Sequence, residues 1–331
     1  MSHSKDLISR LQERIAERLP KEHPQQELNR FVNYLKDYPE RGGKYIRSQL
    51  LVLSCLAHGG QLEAALDVGA ALELFQNWVL IHDDIEDDSE ERRGKPALHR
   101  LIGMPLALNV GDALHVYMWR VLHGLPNSQN KPEIIEEFSQ MILRTAEGQH
   151  LDLNWTQTGQ LDIRESDYIE MVRLKTAYYT VLCPLRLGAL CADQQFPEEL
   201  NEAALNLGIA FQIRDDVLNL LPSQGYGKEF AGDLYEAKRT LILAHTFGHA
   251  SETEKALLIK CLSLPRQEKR PQDIDSILDL IRRYASLDYA QAVADKLAQQ
   301  SLATFRLALA DLNPHAQNIL TVMESLATRK A

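Results

Sequence analysis

Two aspartate pairs, each followed by a further polar residue four positions after its first Asp, stand out as the residues able to do chemistry. One lies in Asp83-Asp84-Ile85-Glu86-Asp87, the other in Asp215-Asp216-Val217-Leu218-Asn219. On a helix, positions i, i+1 and i+4 share roughly one face. Two such faces looking at each other across a cavity gather carboxylates that repel: unit charges about 5 Å apart at an effective dielectric of about 20 cost roughly 3 kcal/mol. Hard divalent cations relieve that repulsion, and Mg2+ typically takes one or two carboxylates plus substrate phosphates. The pattern therefore points to Mg2+-dependent chemistry on a diphosphate.

Cations lie close by in sequence. Arg92-Arg93-Gly94-Lys95 follows Asp87 after a short gap, and paired guanidiniums grip phosphate oxygens bidentately. An EF-hand is excluded, because the sixth position counted from Asp83 is Asp88 where that loop needs Gly. Upstream, Gly42-Gly43-Lys44 with Arg47 forms a second candidate phosphate site, its glycines permitting close backbone approach. Downstream come Gly148-Gln149-His150-Leu151-Asp152, Lys175-Thr176, Gln212, Gly227-Lys228 and Asp233 through Lys238. Taken singly, each also reads as solvated surface charge or an ordinary helix start. Lys175 is the most pointed, since an unpaired lysine in an apolar helix is costly. His82, His99 and His115 read as packing histidines, and Met104, Met118 and the Trp119 region as core.

The elements that must position these groups are helices. Apolar residues recur at helical spacing over 5–19, 27–38, 46–58, 61–87, 105–124, 132–155, 165–192, 198–221, 234–250, 252–263, 272–284, 287–311 and 313–328. Strand signals are nearly absent and no Asn-Gly hairpin occurs. Breaks at Pro and Gly clusters are short and evenly spread, so one domain over 1–331 is expected. Pro184 falls inside a helical pattern and is expected to kink it. The 331 residues are 45% hydrophobic, enough for a large core, and the net charge of −10 argues against nucleic-acid binding. Met1-Ser2-His3-Ser4-Lys5-Asp6 has no apolar run, so no secretory signal is expected, and no run of about 18 apolar residues suggests a membrane span. Cys55, Cys183, Cys191 and Cys261 lack metal-ligand spacing and read as buried free thiols, which fits a cytoplasmic protein.

The joint order of motifs resembles the trans-isoprenyl diphosphate synthases, the polyprenyl synthetase family. It comprises Gly-Gly-Lys-x-x-Arg, Asp-Asp-x-x-Asp with Arg-Arg-Gly behind it, Gly-Gln-x-x-Asp, Lys-Thr, and Phe-Gln-x-x-Asp-Asp. It spans Gly42 to Lys238. The resemblance implies an all-α, single-domain orthogonal helical bundle of the isoprenoid synthase type with a central substrate cavity. It implies head-to-tail (1′-4) condensation of isopentenyl diphosphate with an allylic diphosphate, assisted by three Mg2+ ions, in a homodimer. By the same resemblance Asp83, Asp87 and Asp215 are direct metal ligands, with Asp84 either a further ligand or a supporting partner and Asp216 in support. Arg92, Lys175 and Lys238 bind the allylic diphosphate, and the Gly227-Lys228 motif supplies a further diphosphate contact. Lys44, Arg47, Gln76 and Arg93 bind isopentenyl diphosphate, and Thr176 and Gln212 stabilise the carbocation.

Two departures are visible. Gln76 stands where many bacterial members carry His, and Asn219 ends the second motif in place of Asp. The phrasing around both acidic motifs is most like the geranylgeranyl diphosphate synthases, which implies a C20 product, with a C15 farnesyl diphosphate synthase as the alternative. Phe75, Trp78 and Val79 precede Asp83 by eight, five and four residues. With one helical turn about 5.4 Å long, bulky residues here are expected to close the product tunnel. A class I terpene cyclase and an inactive partner subunit are the competing readings. The former conflicts with Lys44, Arg47 and Arg93, which imply a second diphosphate, and only Asn219 supports the latter.

Overall fold

The computed structural model describes residues 2–126, 130–221, 229–310 and 313–328. The expected ligand Lys228 therefore lies outside the described residues. In chain order the helices are α1 (Ser2–Arg18), α2 (Gln26–Glu40), α3 (Ile46–Ala57), α4 (Leu62–Glu86), α5 (Leu98–Ile102), α6 (Met104–His123), α7 (Lys131–Gln157), α8 (Glu165–Val172), α9 (Cys183–Cys191), α10 (Asn201–Asn219), α11 (Gly232–Tyr235), α12 (Leu241–His249), α13 (Glu252–Leu262), α14 (Pro271–Arg283), α15 (Ser286–Ala308) and α16 (Pro314–Ala327). Between α4 and α5 lies one antiparallel hairpin, β1 (Glu91–Arg92) with β2 (Lys95–Pro96). The all-α reading holds.

The chain divides into two compact units. The first comprises Met1–Gln140, Thr180–Glu198 and Ala308–Val322; the second comprises Met141–Tyr179, Glu199–Leu307 and Met323–Ala331.

In the first unit α4 is apolar on every side: Leu66, Val68, Leu72, Leu74 and Phe75 are all essentially inaccessible. By length and composition it could cross a membrane, yet 72% of its most apolar stretch is buried inside the fold, as expected of a core helix hydrophobic all round. Helices α1, α3 and α6 pack around it. Gly111 of α6 permits the close approach, because a Cβ there would overlap the His82 ring.

The expected helix over 165–192 changes geometry midway. It is α through Val172 and π over Arg173–Leu182, and it resumes as α9 at Cys183. Pro184 sits in the first turn of α9, where its missing N–H is least costly, so the irregularity precedes the proline. The π segment carries Lys175 and Thr176, and such segments concentrate at functional sites. Two glycines clamp it: a Cβ on Gly148 of α7 would overlap the Lys175 backbone, and one on Gly208 of α10 would overlap Ala177.

Three local expectations are corrected. The pattern read as one helix over 234–250 breaks into α11 and α12, because Ala237 takes a left-handed φ of 55° and Thr240 caps α12 by accepting from the Leu243 N–H. The hairpin was missed because its turn is Arg93-Gly94, not Asn-Gly. Met104, read as core, is 56% exposed.

Candidate active site

The first acidic motif ends α4, and its three aspartates divide the work. Asp84 is fully buried. Arg92 Nε donates to both of its oxygens at 2.9 and 3.1 Å, and Arg92 Nη2 donates to it as well. Tyr38 Oη donates to Asp84 while accepting the Leu98 amide at 3.1 Å. Burial and the Asp84 charge push the Tyr38 phenol up. Burial disfavours the Arg92 charge, but Asp84 and Asp83 more than offset it and hold the guanidinium firmly protonated. Asp84 thus serves inside the protein, whereas Asp83 and Asp87 lie part-exposed one turn apart. Arg92, expected to grip a diphosphate, directs its fork at Asp84 and approaches Asp83 at 3.4 Å.

A basic cluster adjoins this motif. Arg93 has φ 54° and Gly94 φ 71°, the paired positive values that a two-residue hairpin turn demands. That turn aims Arg93 back over α2, where its Nη1 donates to the Tyr38 carbonyl at 2.9 Å. Gly43 lies beneath it; a Cβ there would sit 3.6 Å from Arg93 Nη2. Arg47 Nη2 donates to Thr180 Oγ1 at 3.0 Å. Between the two arginines lies Glu73, buried on α4 and bonded by Ser48 Oγ. Burial pushes its carboxyl up, while Ser48 and then Arg47 and Arg93 pull it back. Gln76, one turn on, is buried with its Oε1 meeting no donor, and Lys44 is exposed on the loop. Three of the four residues expected at one diphosphate, Arg47, Gln76 and Arg93, therefore cluster around Glu73, which sequence reasoning missed.

Phe75 is fully buried and meets the Trp78 ring edge-on at 5.8 Å. Trp78 stacks on His115 of α6 at 4.1 Å, and Trp119 Nε1 donates to His115 Nε2 at 2.8 Å. Val79 is part-exposed.

The second unit assembles the other candidates. Lys175 Nζ donates to Asp152 Oδ2 at 2.5 Å, a pair made possible by Gly148 one turn earlier on α7. On α10, Gln212 Nε2 donates to Asp216 Oδ1 at 2.8 Å and Tyr168 Oη to Oδ2 at 2.7 Å. Burial, then the charge of Asp233 and further that of Asp215, push the Asp216 carboxyl well above its ordinary range. Burial and the Asp216 charge push the Tyr168 phenol up in turn. Thr176 is buried on the π segment. Asn219 is 2% exposed and works as a clip: its Oδ1 accepts the Asp233 amide at 3.1 Å and its carbonyl accepts the Ala231 amide at 2.9 Å. It thereby holds Asp233 beside the acidic pair. Lys238 follows on the same stretch, its amide donating to the Asp233 carbonyl at 2.8 Å and its Nζ 3.2 Å from Glu236. Asp152 and Asp233 were visible within motifs but were given no role.

The model for the polyprenyl synthetase family matches residues 25–281. The chain belongs to the polyprenyl synthetase family. It is 35% identical over 268 residues to a geranylgeranyl diphosphate synthase of Sulfolobus acidocaldarius, covering 79% of each chain. Among solved structures, a geranylgeranyl pyrophosphate synthetase from Pyrococcus horikoshii superposes with a TM-score of 0.85 at 28% identity over 99% of this chain and 98% of that one. A geranylgeranyl pyrophosphate synthase from Corynebacterium glutamicum, complexed with isoprenyl diphosphate and magnesium, gives 0.84 at 25% identity over 99% of this chain and 98% of that one. The isoprenoid synthase fold is thereby established for this family member.

The residues present fit Mg2+. Asp83 and Asp87 in one unit, and Asp215, Asp216 and Asp233 in the other, offer only oxygen donors, which suit a hard cation. The upward push on Asp216 from neighbouring carboxylates is the repulsion that a cation would relieve. Among the described residues no three His, Cys, Asp or Glu side chains form a ready-made cage. Mg2+ does not require one, since it retains waters and takes substrate phosphates as ligands.

Proposed function

We propose that this chain is a short-chain trans-prenyltransferase that joins isopentenyl diphosphate head-to-tail to an allylic diphosphate, with geranylgeranyl diphosphate as product. One observation carries the reading. Two acidic motifs of matching pattern each bury their second aspartate behind a tyrosine and leave the first more accessible, while the Arg47–Arg93 cluster around Glu73 supplies a cationic site for a second diphosphate. A terpene cyclase, which consumes one diphosphate, has no use for that second site.

In this reading Asp83 and Asp87 in the first unit, and Asp215 in the second, would hold the three Mg2+ ions expected with a bound allylic diphosphate, and Asp216 and Asp233 would support Asp215. Bound Mg2+ supplies Lewis-acid stabilisation of the departing diphosphate. Lys175 and Lys238 bind that diphosphate and neutralise its growing charge. Asp152 keeps Lys175 aimed. Arg47, Arg93 and Lys44 bind isopentenyl diphosphate, and Gln76 offers its amide N–H to it. Arg92 fixes Asp84, and through the hairpin it fixes Arg93. Thr176 and Gln212 line the cation. Phe75, Trp78 and Val79, braced by His115, set product length.

The exposed apolar row Leu101, Met104, Leu106, Leu108 and Val116 suits a homodimer contact through α5 and α6. The test is incubation with labelled isopentenyl diphosphate, each allylic primer and Mg2+, with chromatography of the products. C20 is the expected outcome. A C15 end product refutes the assigned length, and turnover of an allylic diphosphate without isopentenyl diphosphate refutes the reaction. Trp78→Ala is expected to lengthen the product, and an unchanged product under excess isopentenyl diphosphate would remove Trp78 from that role.

A further inference from the structure

Behind the stretch that carries Asp233 and Lys238 lies a group of cations the proposed chemistry does not use. Lys269, just before α14, is only 7% exposed, and its Nζ donates to the Tyr235 carbonyl at 2.6 Å. Arg239 is 3% exposed and donates to the Ala237 carbonyl, to Gln160 O at 2.7 Å and to Trp155 O at 3.1 Å. Arg266 donates to Glu229, lies 3.5 Å from Glu236 and sits 5.7 Å over the Tyr235 ring. Three cations thus surround one turn, and two of them hold it by main-chain carbonyls.

A buried ammonium is an expensive way to tie a loop. Burial, then Arg239 and Arg266, push Lys269 down to about 8, against the pull of Glu236. An apolar residue of similar length would avoid that cost, but it could not reach a carbonyl. The carbonyl concerned belongs to α11, a single turn too short to hold itself. α11 begins at the Asn219 clip and ends two residues before a left-handed Ala237. Asn219 fixes its start and Arg239 the stretch beyond its end, and Lys269 grips the carbonyl at its last residue.

We propose that Lys269 is a positioning residue for the allylic diphosphate: by holding the Tyr235 carbonyl it fixes the α11 turn, and so sets where Asp233 and Lys238 are presented. The inference rests on the reading of Lys238 as a diphosphate ligand and deepens it by naming what holds that ligand in place.

The test compares Lys269→Met with Lys269→Arg, which restores the donor. For Lys269→Met the KM for the allylic diphosphate is expected to rise by about tenfold, with the KM for isopentenyl diphosphate nearly unchanged. Amide hydrogen exchange should speed up over 231–238 and stay as in wild type elsewhere. Lys269→Arg should recover most of both. Unaltered exchange over 231–238 in Lys269→Met overturns the tether, as does an equal rise in both KM values with exchange raised throughout the chain. If wild-type protein performs no prenyl transfer, the functional reading fails on its own, and the exchange comparison still decides whether Lys269 holds the turn.

Discussion

The two acidic motifs are near copies in sequence and opposites in electrostatics. Each places its second aspartate in the interior under a tyrosine hydroxyl, Tyr38 on Asp84 and Tyr168 on Asp216. Asp84 then meets the Arg92 guanidinium and forms a closed ion pair. Asp216 meets an amide, Gln212, and the charges of Asp233 and Asp215. One motif sets a guanidinium against its buried aspartate, and the other sets a neutral amide in that place.

The sharpest way to break this contrast is to remove the accessible carboxylates. Asp83→Asn and Asp215→Asn are each expected to lower kcat/KM by roughly three orders of magnitude, a loss of about 4 kcal/mol of transition-state stabilisation, measured in the labelled assay. A smaller loss for Asp215→Asn would place the catalytic weight on the first motif alone.

Next comes the ion pair. Arg92→Met leaves Asp84 buried without its cation and should destabilise the fold by about 3–5 kcal/mol, read by urea denaturation. Gln212→Met, which removes a neutral partner, should cost only about 1 kcal/mol. Equal costs would erase the distinction between the motifs.

A subtler effect concerns pH. The fold raises the Asp216 pKa, so this group favours the folded state most below about pH 4 and loses that contribution as pH rises through its folded pKa. Mg2+-free protein should therefore lose thermal stability from this group between acid and neutral pH. Asp216→Asn should flatten that part of the Tm profile, and added Mg2+ should stabilise wild type more than the variant. The smallest effect is expected from Asn219→Asp, about 1 kcal/mol. Its oxygen still accepts the Asp233 amide, but it adds one more negative charge, so the variant should require less Mg2+ for half-maximal activity.

Much of this was legible in the residues themselves. Helical periodicity marked α4 to within a residue at each end, because an apolar run of that length has no other stable home. The Asp, Arg and Lys motifs were found because their spacing is local. What escaped is set by tertiary contact. Tyr38, Tyr168 and Glu73 belong to ordinary amphipathic helices, and only the fold brings them to Asp84, Asp216 and Arg47. Asn219 was visible only as a departure from Asp, and its bond to the Asp233 amide is a tertiary contact. The π segment escaped because its residues follow the same apolar rhythm as an α-helix, and the glycines that let neighbours approach it, Gly148 and Gly208, lie on other helices.

That widened segment also sets a limit on how the chain can vary in length. Each α-helical residue turns the backbone by about 100°, so removing one residue between Arg173 and Lys175 would swing the ammonium far from Asp152. A change of side chain there can be accommodated, but a change of count cannot. Length polymorphism among homologous chains should accordingly fall in the connections on either side and spare these ten positions.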